Sequence, residues 1–409
     1  MYLDDYIREL DHITAEAEWK EKIKQTLQNT VTQPSAAKPS KKVWLLPAAA
    51  AACCLVFSLI LLPQLFSSTD PGIGSGQPCP ALPMLTVEFE SSGMGYEGLM
   101  AHSVDELIGG NPWSENANLS TLPVFQNTAK IHPAGFLEDS AKFPVSRLEE
   151  RIQQIADAFG EPITSMEKNM GKSGVKEGIV EYISSIDADC PSYKITAYAY
   201  GDIRIELKQP VTLPDNLGKI TSRGNAEKLA DYFAKEYKSL TGFKKPAIDV
   251  WGDYDIYNQQ SWSSNIYDSS GDLTQQIVNY NLGSAHFALN DQRQLFIIWL
   301  SEPDLSQKIG DYPILSADEA KKQLLNGNYY TTVPAEIPGE EAVEHVELVY
   351  RAEATLDCFM PFYKFYVNIP ELSKNMDFPI HTYGIFYVPA VSPEYLNDLP
   401  EPEIHFNEK

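Results

Sequence analysis

Apolar residues along this chain fall into three rhythms, and each rhythm predicts a different kind of element. The longest is uninterrupted: residues 43–66 (VWLLPAAAAACCLVFSLILLPQLF) contain no charged side chain. About twenty such residues span the roughly 30 Å hydrocarbon core of a bilayer as a helix, so this run predicts a single membrane span. Pro47 falls in its first turn, where a missing backbone N–H costs little, and Pro63 falls near its exit. Trp44 and Phe66 fall at the two interfaces, where aromatic residues concentrate.

The second rhythm is helical and lies before the span. Leu3, Ile7, Leu10 and Ile13 form one apolar stripe, and Trp19, Ile23 and Leu27 form another, with Thr14 placed to cap the second helix. Short amphipathic helices cannot cover their own stripes. The stripe of Trp19, Ile23 and Leu27 is therefore the candidate partner-binding surface, to be covered by membrane lipid or by a cytoplasmic protein. Residues 29–42 and 67–83 are polar, proline-containing linkers on either side of the span.

The third rhythm fills residues 84–409, where helical and alternating patterns take turns. Ser146-Arg-Leu-Glu149 has the form of a capping box before Leu148, Ile152, Ile155 and Phe159, and Gly160 stops the run. Strands are expected at 178–186 and 193–210, the latter folding over Gly201-Asp202. A second helix with Leu229, Phe233, Tyr237 and Leu240 follows Asn225 and ends near Gly242. Strands are expected after it at 275–289 and 294–300, turning at Asn290-Asp291. A second capping box, Ser316-Ala-Asp-Glu319, opens a helix stopped by Gly327, with strands at 344–356, 360–368 and 381–388. The fold class that emerges is α+β: one transmembrane helix followed by repeated modules of a helix plus an antiparallel meander. The expected divisions are 1–42 (inner helical segment and linker), 43–66 (span), 67–83 (outer linker), 84–220 (first module) and 221–409 (second and third modules).

Charge fixes the orientation and removes one class of partner. Lys38, Lys41 and Lys42 precede the span, and no Lys or Arg occurs from Ser67 to Ala129. The positive-inside bias places the N-terminus in the cytoplasm and residues 67–409 outside the cell. Residues 1–42 are neutral, so the net charge of −24 lies beyond the span. A domain this acidic repels phosphate backbones, which excludes nucleic acid as its partner. Of the five cysteines, Cys53 and Cys54 lie in the span, which leaves Cys79, Cys190 and Cys358. An odd number is no closed disulfide framework: Cys190–Cys358 is the one bridge considered, against free thiols.

Motifs for chemistry are sparse. Asp253-Tyr-Asp255 has the DxD form by which glycosyltransferases grip a metal–nucleotide, but no alternating βα pattern surrounds it, and a solvated loop is the simpler reading. Asp268, Gly271 and Asp272 lack the ligand number of a calcium loop. The seven histidines show no zinc spacing. No residue is assigned to catalysis, to a cofactor or to a metal, and a non-enzymatic protein is expected. Met360-Pro-Phe-Tyr-Lys-Phe-Tyr-Val367 and Tyr383-Gly-Ile-Phe-Tyr-Val-Pro-Ala390 carry large side chains on both faces, the mark of a strand buried on two sides, or of an aromatic groove for a peptide.

These last segments carry a resemblance. Residues 312–329 (YPILSADEAKKQLLNGNY), then Val349-Tyr350, Met360–Phe365 and Tyr387–Ala390, resemble the C-terminal module of YycI-type regulatory proteins and, more distantly, PepSY-like modules. Members of that family are single-pass proteins whose outer domains restrain a sensor kinase. The resemblance covers about 80 residues, and the inner segment of 42 residues is longer than that family's short tail. The layout of inner helices, one span and an outer domain is also similar to membrane-bound anti-sigma factors of Gram-positive bacteria. The resemblance implies a membrane regulator or sensor acting on a sensor kinase or a sigma factor. A type II membrane glycosyltransferase-like enzyme and a structural envelope protein are the alternatives.

Overall fold

The computed structural model describes residues 82–88, 96–131, 145–173, 180–217 and 220–397. The chain divides into two compact units, Met1–Ser75 and Gly76–Lys409, and every described residue belongs to the second. The inner helices expected at 2–28, with Trp19, Ile23 and Leu27, and the span expected at 43–66 thus lie outside the described residues. Among the described residues no helix is long and apolar enough to cross a membrane. What is described is mixed α+β and mostly sheet.

Three short elements come first: β1 (Gly98–Ala101), α1 (Val104–Leu107) and β2 (Thr121–Gln126). Then α2 (Val145–Phe159) leads into β3 (Ser165–Ser173), β4 (Val180–Asp189), β5 (Tyr193–Tyr198) and β6 (Asp202–Thr212). Next, α3 (Arg223–Glu236) and its one-turn continuation α4 (Lys238–Thr241) lead into β7 (Pro246–Tyr254) and β8 (Gln260–Asp268). After α5 (Leu273–Leu282) come β9 (Ser284–Leu289) and β10 (Gln294–Ser301). These eight strands form one antiparallel sheet in the order β3-β4-β5-β6-β10-β9-β8-β7. Each half opens with a helix and contributes four strands, the second with α5 inserted between its two hairpins, and the halves meet through their last strands, Ile205 opposite Ile298. The sheet therefore runs unbroken across the expected module boundary at 220/221.

Period-two alternation puts Ile195, Ile203, Ile205, Ile298 and Leu300 on one face, where α2 (Leu148, Ile152, Ile155) and α3 (Leu229, Phe233) cover them. Phe233 stacks on Phe287 of β9 at 4.5 Å between ring centroids. Full burial of each such side chain stabilises the fold by roughly 1.5–3 kcal/mol. Arg151 ties α2 to this layer: its guanidinium donates to both carboxylate oxygens of Glu302 (2.7–3.1 Å) and to the Leu240 carbonyl at 3.1 Å.

The remaining strands are β11 (Lys308–Pro313), β12 (Val343–Tyr350), β13 (Cys358–Phe359), β14 (Pro361–Asn368) and β15 (His381–Pro389), with α6 (Ala317–Leu325) and α7 (Pro370–Ser373) between them. They make a four-stranded sheet, β1-β15-β14-β12, and a three-stranded one, β11-β2-β13. The last helix-plus-meander thus borrows its fourth strand from the beginning of the described domain.

Several sequence expectations change here. The strand expected at 275–289 is a helix followed by a strand. Asp272 caps α5 by accepting from the Gln275 amide at 2.9 Å, and Gly283 separates the helix from β9. Ser146 lies inside α2 rather than ahead of it. The N-cap of α3 is Ser222, with Asn225 donating to it. The capping box of α6 forms in full: Glu319 N–H donates to Ser316 Oγ and the Ser316 N–H to Glu319 Oε2. Cys190 and Cys358 are both buried and unbridged.

Candidate functional site

The face of the four-stranded sheet that packs on α6 is apolar: Leu348, Tyr363, Phe365, Phe386 and Val388. Because side chains alternate, the opposite face receives the residues between them. Register places Glu347 of β12 directly opposite Lys364 of β14, and Lys364 opposite Tyr387 of β15. That row is polar within strands that are otherwise buried. Facing it is the end of β7. Val250 turns toward α3 with Ala226 and Ala230, so its neighbours Asp249 and Trp251 point the other way.

A cleft of about 330 Å³ separates these walls, lined by Asp249, Trp251, Tyr280, Glu347, Arg351, Glu353, Lys364, Tyr366 and Tyr387, with Gly109 and Asn265 among others. Its charged groups are deeply placed: Asp249 is 5% exposed, Glu347 5% and Arg351 4%. Glu347 Oε2 accepts the Tyr366 hydroxyl at 2.7 Å and lies 3.8 Å from Lys364 Nζ. Arg351 donates to Glu353 and lies over the Tyr387 ring, 4.8 Å from its centroid. Lys364 Nζ lies 4.6 Å from the Tyr366 ring centroid. Both cations of the cleft are thus held against an aromatic face as well as a carboxylate.

Asp249 is held differently. Its Oδ1 accepts the Gly110 N–H at 2.5 Å and its Oδ2 the Tyr280 hydroxyl at 3.0 Å. Tyr267 donates to the Gly110 carbonyl at 3.0 Å, which pins the same loop from the other side. Only glycine fits beside this carboxyl, since a Cβ on Gly109 would collide with Asp249 Oδ1. Burial pushes the Asp249 carboxyl above its ordinary range, aided by the charge of Glu347, while the Gly110 N–H and the Tyr280 hydroxyl pull it back. Burial, then the charges of Asp249 and Glu347, holds the Tyr280 phenol well above its ordinary value. For Tyr366 the causes are burial and then Glu347.

A second cavity, of about 500 Å³, lies between α2 and the Gly201 turn; there Arg147 pairs with Asp304 at 2.6 Å and Arg151 with Glu302 at 2.7 Å, and Glu150 completes the charged lining.

The motifs that sequence reading weighed take structural roles. Asp253 accepts the Ser261 hydroxyl, and Asp255 accepts the amides of Tyr257 and Gln259 across the β7–β8 turn. Asp268 accepts the amides of Lys244, Lys245 and Ser270, which against the effect of burial keep its carboxyl low. Among the described residues no group of three or more His, Cys, Asp or Glu side chains could hold a metal ion. The cleft residues were not singled out from sequence. The signal available was a charge inside an apolar strand: Lys364 within PFYKFYV and Glu347 within VEHVELVY. No protein-family model matches the chain, and no curated protein matches it.

Proposed function

We propose that this chain is a single-pass membrane regulator without chemistry of its own, whose outer domain binds a small ligand in the cleft between the two sheets. In this reading the N-terminal segment reports occupancy to a sensor kinase or a sigma factor, with Trp19, Ile23 and Leu27 as the contact stripe. The observation that carries it is a set of charges facing a cavity, three of them buried (Asp249, Glu347, Arg351) and Lys364 half-buried. Replacing buried ion pairs by apolar residues often stabilises a protein, so a fold selected for stability alone has no need of Glu347, Lys364, Arg351 and Asp249 there. Charged groups that converge on a cavity, one of them the Asp249 carboxyl that burial pushes up, mark a candidate binding site. The layout of positive flank, apolar run and acidic outer domain, and the YycI-type pattern in residues 312–390, support the regulatory part.

The test is genetic and uses both ends of the molecule. In the native host, Lys364→Met and the pair Trp19→Ala with Ile23→Ala should disturb the same set of transcripts, at unchanged levels of membrane-inserted protein. Two unrelated sets, or no change from either, would refute the proposal.

A further inference from the structure

We infer that the cleft takes an organic ammonium ion, a primary amine of the size of a short diamine or a lysine side chain. This rests on reading the cleft as a ligand site. Five charged side chains line it, three acidic (Asp249, Glu347, Glu353) and two basic (Arg351, Lys364). The two cations are matched, Arg351 to Glu353 and Lys364 to Glu347. Asp249 is the carboxyl left over: its hydrogen-bond donors are a backbone amide and a phenol, both neutral. An anionic ligand meets an excess of carboxylates here, whereas an ammonium ion supplies the missing charge.

The walls suit the same guest. Trp251 and Tyr280 stand in the lining with Asp249, and Tyr366 and Tyr387 already carry cations on their faces within the same cleft. Aromatic faces attract ammonium groups, by about 0.5–1 kcal/mol when exposed and about 2 or more when desolvated. The volume of about 330 Å³ lies near the lower end of small-molecule sites, which suits a small organic guest better than a peptide strand. The net charge of −24 raises the local concentration of cations and speeds their encounter.

Calorimetry of the full chain in detergent micelles at physiological salt separates the outcomes. The probes are 1,5-diaminopentane, glutarate as its anionic counterpart, and 1,5-pentanediol as the neutral one. Only the diamine should bind, one per chain. Asp249→Asn, whose amide oxygen still accepts from Gly110, should weaken it tenfold or more. Equal binding by wild type and Asp249→Asn would mean that the diamine sits on the acidic surface, and it would overturn the inference. Binding of glutarate, abolished by Lys364→Met, would refute the ammonium class while keeping the cleft as a ligand site. Binding of none of the three would refute the inference and remove the support for the cleft as well. The comparison of probes on the wild-type chain decides the charge class even where a variant fails to fold.

Discussion

The Tyr366–Glu347 pair offers the sharpest check on how the cleft is held. Tyr366→Phe removes one oxygen from a side chain that is 2% exposed and alters no packing surface. Glu347 then loses the donor at 2.7 Å and keeps only Lys364 at 3.8 Å and His345 Nε2 at 4.0 Å, both beyond hydrogen-bond length. A hydrogen bond to a charged group contributes about 1.5–3 kcal/mol, and a neutral one about 0.5–1.5 kcal/mol. Tyr366→Phe should therefore cost about 2 kcal/mol in the native background but only about 1 kcal/mol beside Glu347→Gln, a coupling of about 1 kcal/mol between the two sites. Equilibrium urea unfolding of the full chain in micelles, read by pulse proteolysis, measures all four corners of the cycle. A loss below about 0.5 kcal/mol, the range of an ordinary surface change, would refute the reasoning. So would an identical loss in the two backgrounds.

Two further outcomes follow from buried titratable groups. Cys190 and Cys358 are buried and unbridged, and burial pushes the Cys358 thiol up to about 12, so maleimide should reach both only after unfolding, without any reductant; thiols that stay unreactive in denaturant until reduced would show a disulfide instead. Asp249 has a folded titration point above its ordinary 3.8, so the folded chain holds its proton longer than the unfolded one. Its contribution is greatest below the unfolded value and is lost as pH rises through the folded one. The groups facing it are Tyr280 of α5, Tyr267 of β8, and Glu347 and Lys364 of the opposite sheet. Asp249→Asn should flatten the fall in stability on going from acid to neutral pH, and an unchanged urea midpoint profile would contradict this.

Some of this fold could be read from the chain, and the rest hid for identifiable reasons. The Ser316 capping box, the helix ending at Gly160 and the strands around 361–368 and 381–389 declare themselves, because local hydrogen bonds and burial on both faces leave a direct imprint. The helix within 273–282 did not. Its apolar residues run straight into Ala285, Phe287 and Leu289 of the next strand, so the change of period is blurred. The edge strand β3 shows no alternation at all, with Met166 and Met170 41% and 52% exposed. In β8 (QSWSSNIYD) one face alternates polar Gln260 and Ser264 with Trp262 and the buried Ile266, and the other carries Ser261, Ser263 and Asn265, the last lining the cleft, so no clear alternation shows. Register and long-range pairing lie beyond local pattern altogether: β1 joins β15 across more than 280 residues, Gly98 opposite Gly384. For the same reason no local pattern could place Lys364 beside Glu347, or Asp249 across from both.

The placement of the cleft explains how a ligand there could act on the whole described domain. Asp249 comes from β7, Tyr280 from α5, Glu347 and Arg351 from β12 and the loop after it, and Lys364 and Tyr366 from β14. These walls belong to two different sheets, joined on this side through the Gly110 loop and its bonds to Asp249 and Tyr267. A guest that touches both walls contributes its binding free energy to the arrangement that brings them together: about 2.7 kcal/mol at a concentration one hundred times its dissociation constant. It does so only to the extent that it binds that arrangement better than any other, since equal affinity for two arrangements shifts nothing. On the proposed function, signalling from this site demands a charge that matters in one arrangement and not in the other. Asp249 meets that demand: its two hydrogen-bond donors are neutral, and Lys364, the cation that faces it, is already matched to Glu347.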